Sequence, residues 1–211
     1  MSRVVSDLLI DGPDKARLTV VLAHGAGAPM DSPFMTDVAA GLASRKLRVV
    51  RFEFPYMAAR RATGARKPPD RAPILLECWR ATIETLGPPD RLVIGGKSMG
   101  GRMASLIADD TGIAGLVVFG FPFHAPGKPP GDRIAHLADL KTPTLFVQGT
   151  RDALGTRDDV VSYKLSKAIR IRWIEDGDHS LKPRKKSGLG ERDALDQAIT
   201  AAGAFVCSLS N

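Results

Sequence analysis

Residues 95–102 read GGKSMGGR. A serine with a glycine two positions away on each side is an arrangement in which a hydroxyl can serve as a nucleophile. The glycines have a mechanical task. A strand that turns abruptly into a helix leaves no room for side chains at Gly96 and Gly100, and the turn lifts Ser98 clear of the backbone. The helix that follows aims its N-terminal dipole and free N–H groups at negative charge developing beside the hydroxyl. Chance alone gives about 0.1 occurrences of G-x-S-x-G in a chain this rich in glycine, so the motif takes its meaning from its surroundings. The spacing excludes both the G-x-x-x-x-G-K-[ST] phosphate loop and the G-x-G-x-x-G dinucleotide fingerprint.

A nucleophilic serine needs a base, an acid that orients the base, and donors for an oxyanion. Three other strand ends offer these groups. Asp152 follows TPTLFVQG (142–149), His179 follows IRIRWIED (169–176), and LTVVLAHG (18–25) runs into a glycine-rich turn, HGAGAPMD, whose N–H groups can face the serine. The chain order Ser98, Asp152, His179 is the one expected when such a triad is built on a parallel sheet, with His179 as general base and Asp152 fixing its tautomer. Asp176 and Asp178 stand too close to His179 in sequence for their side chains to meet it as a triad requires. Asp158 and Asp159 open the next helix, where acids favour the dipole. His24 is expected to support the glycine turn by hydrogen bonding, and His124 and His136 in the long loop receive no role. Lys97, inside the motif, is expected to point away from the active-site side, into packing or a surface ion pair, with Arg102 doing likewise. If either reached the pocket, a substrate carboxylate or phosphate would be favoured. Met30, Phe121 and Phe123 are candidate substrate-binding residues for an apolar wall, alongside Met99.

The elements that must position these groups alternate along the chain. Strands are expected at 3–10, 18–25, 47–54, 91–96, 115–121, 142–149 and 169–176, and helices at 32–46, 72–86, 99–111, 159–168 and 191–209. Near-continuous apolar strands such as Leu92-Val93-Ile94 predict a single α/β domain over residues 1–211, with a mostly parallel sheet of about seven strands and helices on both faces. In such sheets ligands bind at the carboxyl ends of the strands, where the candidate residues fall. Loops 55–71 and 122–141 are long enough to shape a pocket but too short for a separate lid domain.

LAHGAGAPMDSPFM, GGKSMGGR, VQGTRD and DGDHSL together resemble the α/β-hydrolase superfamily, over nearly the whole chain. More narrowly, they resemble its small, lidless, dienelactone-hydrolase-like branch, which includes the testis-expressed protein 30 family and a domain of a chromatin-complex subunit. The resemblance implies Ser98 as nucleophile, Asp152 as acid, His179 as base, and the backbone N–H groups of Ala26 and Met99 as oxyanion hole. Dienelactone hydrolases proper carry a cysteine where this chain has Ser98.

Composition narrows the remaining choices. The 211 residues carry a net charge of +7, with much of the excess in RRATGARKPPDR (60–71) and KPRKK (182–186). No aromatic residue is interleaved with either run, which favours a solvated surface over a nucleic-acid groove. The N-terminus lacks the apolar core of a secretory leader, the longest apolar stretch (114–123) is too short and too interrupted to span a membrane, and two distant cysteines, Cys78 and Cys207, suit a reducing compartment. The expectation is a cytoplasmic serine hydrolase that cleaves a small ester or thioester through an acyl-enzyme, with no metal or organic cofactor. The competing expectation is a hydrolase-like scaffold that binds a protein or nucleic-acid partner through the basic runs. A fluorophosphonate probe separates the two.

Overall fold

Strands that are apolar on both faces must be covered on both faces, and the arrangement of this chain follows from that requirement. The computed structural model describes residues 7–209. Seven strands, β1 (Leu9–Asp11), β2 (Thr19–Ala23), β3 (Arg48–Phe52), β4 (Leu92–Lys97), β5 (Gly115–Phe119), β6 (Thr144–Gly149) and β7 (Ile169–Ile174), form one sheet in the order β1-β3-β2-β4-β5-β6-β7. β1 pairs antiparallel with β3 at one edge, and every other pairing is parallel. Among the described residues there are seven α-helices: α1 (Pro33–Ala43), α2 (Pro55–Thr63), α3 (Ala72–Leu86), α4 (Met99–Ser105), α5 (Ala108–Thr111), α6 (Arg157–Val161) and α7 (Glu191–Ser208).

The sheet divides the core in two. Val93 belongs to one apolar cluster with Leu42 of α1 and Ile199 of α7, whereas Ile94 belongs to the other with Trp79 of α3 and Phe146 of β6. Alternation along β4 therefore feeds both layers, and each fully buried side chain of this kind contributes roughly 2 kcal/mol. β2 and β4 lie side by side at the centre, with Ala23 opposite Gly96, so the ends of both strands are firmly registered.

Several boundaries differ from the sequence reading, each for a local reason. The strand expected at 3–10 is seen only as Leu9–Asp11, and its first four residues lie outside the described residues. The segment 55–71, read as a loop, begins as helix α2: Pro55 stands at its first turn, where a missing N–H costs nothing, and Gly64 closes it at φ 72. The helix expected over 99–111 divides into α4 and α5 around Leu106 and Ile107. The one expected at 159–168 starts earlier and stops sooner. Thr156 and Asp159 form a capping box at its start, and Ser166 is bonded through both backbone and side chain to the carbonyls of Leu137 and Leu140. The loop 122–141 contains a 3-10 segment, Gly131–Ala138.

Candidate active site

The turn from β4 to α4 places Ser98. Its backbone sits at φ 49, ψ −115, a sparsely populated conformation for a residue with a side chain. Packing on all sides imposes it. Gly96 has φ 137, and a Cβ there would fall 2.0 Å from the carbonyl oxygen of Ala23; one at Gly100 would fall 2.5 Å from that of His24. Both glycines are therefore required by close approach of β2, as the motif predicts.

The structure brings Ser98, Asp152 and His179 together. Ser98 Oγ lies 2.8 Å from His179 Nε2, and His179 Nδ1 lies 2.8 Å from Asp152 Oδ2. Asp152 is wholly buried, whereas the His179 side chain is 29% exposed at the open side. The carboxylate accepts two further bonds: from Gln148 Nε2 at 2.8 Å on Oδ2, and from the Leu154 amide at 2.8 Å on Oδ1. With acceptors only at Asp152, Nδ1 of His179 must carry the proton, which leaves the Nε2 lone pair to accept the Ser98 hydroxyl.

The other aspartates are occupied elsewhere. Asp176 receives the backbone N–H and the guanidinium of Arg184 and an ion pair from Arg151 at 3.0 Å. The Arg184 bonds hold its carboxyl well below the usual carboxylate range. Asp178 accepts the amides of Ser180 and Lys182, which shapes the turn that carries His179. Asp159 belongs to the α6 capping box.

The turn after β2 faces the serine. A Cβ on Gly25 would lie 3.7 Å from Ser98 Cβ, and Ala26 lines the cavity in front of Ser98. Met99 opens α4, so its amide has no acceptor within the helix. Little in this turn is buried, since Ala26, Gly27 and Ala28 are exposed, and side chains from β3 and α2 hold it. Tyr56 Oη donates to the Ala26 carbonyl at 3.0 Å. His24, fully buried, places Nδ1 2.7 Å from the Gly25 carbonyl while Nε2 accepts the Phe54 amide at 3.2 Å; the ring is therefore neutral with its proton on Nδ1, and burial lowers its pKa. Further along, Glu53 accepts the Met30 amide at 3.3 Å and Arg51 donates to the Met30 carbonyl at 3.0 Å. Arg61 grips Glu53 at 2.6 and 3.0 Å and Asp31 at 2.8 and 2.9 Å.

The cavity has a volume of about 510 Å³ and is walled by Pro33, Phe34 and Met35 of the α1 start, with Lys97 and Lys182 at its edges. Met30, Phe121 and Phe123 do not line it. Phe121 and Phe123 are fully buried against Phe146, because Gly120 at φ 66 ends β5 and turns the chain beneath the site; Met30 is buried behind the turn. Lys97 also departs from expectation: it borders the cavity, and its Nζ donates to the His179 carbonyl. Arg102 is half-buried and does not reach the cavity. Sequence reading also missed Gln148, Tyr56, Glu53 and Arg61. Only Gln148 left a trace there, as a polar residue closing an otherwise apolar strand, TLFVQG. The basic runs supply structural contacts: Arg61 clamps the turn, Arg184 holds Asp176, and Lys182 pairs with Glu191 at 3.1 Å.

Among the described residues, no group of three or more His, Cys, Asp or Glu side chains could hold a metal ion, and no helix is long and apolar enough to cross a membrane. The fold is shared with solved hydrolases of low sequence identity. A dienelactone hydrolase from Anabaena variabilis matches at 20% identity with TM-score 0.71, covering 95% of this chain and 90% of that one. A lidless α/β serine hydrolase from Xanthomonas campestris matches at 20% identity and TM-score 0.70, covering 96% and 88%. An α/β serine hydrolase homologue from Coxiella burnetii matches at 20% and 0.69, covering 95% and 90%. The family model described as "Alpha/beta hydrolase domain" matches residues 16–207, which supports a hydrolytic function. A mostly parallel seven-stranded sheet, a glycine-fenced serine turn and this match over most of the chain lead to one conclusion: the protein belongs to the α/β-hydrolase family.

Proposed function

We propose that this protein is a serine hydrolase that cleaves a small carboxylic ester or thioester through an acyl-enzyme. The observation that carries this reading is the unbroken hydrogen-bonded chain from Ser98 Oγ through His179 to the buried Asp152, each link 2.8 Å long. His179 takes the Ser98 proton as Oγ attacks the substrate carbonyl, and Asp152 stabilises the imidazolium without itself becoming protonated. The oxyanion is held by the amides of Ala26 and Met99, a preorganised pair of the kind worth about 3 kcal/mol per donor in acyl transfer. His179 then gives its proton to the leaving alcohol or thiol, and a water repeats the cycle to release the acid. The cavity wall of Pro33, Phe34 and Met35 suits a short apolar acyl group or ring.

A fluorophosphonate probe tests this directly. The native protein is expected to label at Ser98 and to hydrolyse p-nitrophenyl esters of short acyl chains, with labelling abolished in Ser98→Ala. A folded native protein that neither labels nor hydrolyses would sink the enzymatic reading in favour of a binding scaffold.

A further inference from the structure

Lys97 occupies the variable position of the glycine-fenced motif, and its side chain has a destination that neither the motif nor the chemistry above explains. It is the last residue of β4, so its backbone is bonded to that of Ser98. Its Nζ crosses to the loop after β7 and donates to the backbone carbonyl of His179 at 2.5 Å. The route exists because position 120 has no side chain. A Cβ on Gly120 would lie 2.8 Å from Nζ and 2.7 Å from that same carbonyl oxygen. The ring of Phe34 lies 5.8 Å from Nζ on another side, within reach of a cation–π contact. Among the described residues, the His179 carbonyl is the only hydrogen-bond acceptor of this ammonium.

The backbone of His179 needs holding as well as its ring. It stands on a loop at the edge of the sheet, after β7; the ring is bonded to Asp152 at Nδ1 and to Ser98 at Nε2, and Asp178 ties the flanking amides of Ser180 and Lys182, but among the described residues Lys97 Nζ is the only hydrogen-bond partner of the His179 backbone. Bonds to the ring nitrogens fix distances but let the His179 peptide tilt, and a tilt moves Nε2 away from Ser98. Misplacement of a reacting group by about 1 Å costs as much as a hundredfold in rate. We propose that Lys97 is a positioning residue whose ammonium ties the backbone of the general base to the strand that carries the nucleophile, and so fixes Nε2 against Ser98. This inference rests on the assignment of Ser98 and His179 made above.

The tie depends on charge. Burial lowers the Lys97 pKa to about 8, opposed by the carboxylates of Asp152 and Asp178, which face it from the loops after β6 and β7. A charge-assisted bond is roughly twice as strong as a neutral one, so the tie is complete well below pH 8 and weakens as pH rises through that value.

The test uses full-length protein, p-nitrophenyl butyrate as substrate and fluorophosphonate labelling of Ser98 as a second readout. Lys97→Met keeps the apolar stem and removes the donor. It is expected to retain the native melting temperature, to lower kcat by about tenfold to a hundredfold with KM changed less than about twofold, and to slow labelling in parallel. The native kcat should fall above pH 8, and this alkaline limb should vanish in Lys97→Met. Lys97→Cys treated with 2-bromoethylamine, which rebuilds the ammonium on a thioether stem, should recover activity, with native protein treated alike as the control for Cys78 and Cys207. Its alkaline limb should lie at lower pH, because sulfur withdraws electrons. Native kcat in Lys97→Met, an unchanged alkaline limb, or no recovery on rebuilding the amine would each overturn the proposal while leaving the hydrolase reading intact. Failure of the native protein to label or hydrolyse would overturn both.

Discussion

The two sides of the site are held by different means. Ser98 and Asp152 follow β4 and β6, two interior strands of the parallel sheet, where backbone register leaves them little freedom; Asp152 is also completely buried, while Ser98 is half-buried. The turn of residues 24–32 projects into solvent with Ala26, Gly27 and Ala28 exposed, and is held by Glu53, just after β3, and by Tyr56 and Arg61 of α2. On the proposed reading, the contrast means that backbone alone places the nucleophile, while the turn offering the oxyanion donors depends on polar side chains that have to be gathered from elsewhere.

The largest effects should come from the backbone-held side. Ser98→Ala is expected to lower kcat by about 10⁵-fold or more while leaving the melting temperature unchanged or raised, since the strained turn tolerates alanine no worse than serine. Asp152→Asn should cost about 10⁴-fold. Both carboxylate oxygens already receive N–H donors, from Gln148 and Leu154, in addition to His179. An asparagine NH₂ therefore faces a donor whichever way it turns: toward Leu154 it meets a buried amide N–H, and toward His179 it forces the wrong tautomer. Steady-state kinetics on a short aryl ester measures both. A change of less than tenfold in Ser98→Ala would mean that the serine is not the nucleophile, and in Asp152→Asn that this carboxylate does not orient the base.

The same contrast explains what was legible in the sequence. Gly96, Ser98 and Gly100 are three residues of one motif whose spacing reports a backbone clash, so their place in the turn was readable. Asp152 and His179 were readable because parallel strands deliver their carboxyl ends to one edge in a fixed order. The brace on the 24–32 turn carries no such order. Glu53 follows a strand, Tyr56 and Arg61 lie on a helix hidden in a stretch rich in proline and arginine, and nothing in their spacing shows that they converge on Ala26, Met30 and Asp31. Phe121 and Phe123 failed as pocket residues for a related reason: aromatic character at a strand end does not say which side of the sheet the chain turns to. Lys97 was misread because its direction is set by an empty space at Gly120, and an empty space has no signature in composition.

Loosening the clamped side should produce smaller and more selective losses. Arg61→Met leaves the Glu53 carboxylate, 1% exposed, without its guanidinium, and removes the side chain that links Glu53 to Asp31 of the turn. The expected result is a tenfold lower kcat, roughly, with KM nearly constant and weakened inhibition by an aryl boronic acid, whose tetrahedral adduct uses the same donors. Tyr56→Phe removes one bond to the Ala26 carbonyl and should cost about threefold, in line with about 0.5–1.5 kcal/mol for a hydrogen bond. If Arg61→Met raised KM and spared kcat, the clamp would be serving substrate binding and not the oxyanion.

The effect with the least bearing on catalysis is a dependence of stability on pH that begins on the clamped side. His24 is neutral in the fold: burial lowers its pKa, helped by the Arg61 charge and opposed by Glu53 and by the bond to the Gly25 carbonyl, and its Nε2 must stay unprotonated to accept the Phe54 amide. A group whose folded pKa lies below its unfolded value of 6.5 takes up protons more readily in the unfolded chain. Stability is therefore complete above pH 6.5 and declines as pH falls below it, with a limiting slope of about 1.4 kcal/mol per pH unit for one group. His136, pushed down to about 4 mainly by burial, adds to the decline between those values. Denaturant unfolding of native protein and His136→Gln at pH 7 and 5 separates the two contributions, since the slope that survives in the variant belongs chiefly to His24. Hydrogen exchange at pH 5 should then show amides of residues 24–32 opening before those of β4. Equal protection on both sides at that pH would mean that the turn is held as firmly as the strand it faces, and that exposure of Ala26, Gly27 and Ala28 is no measure of its freedom.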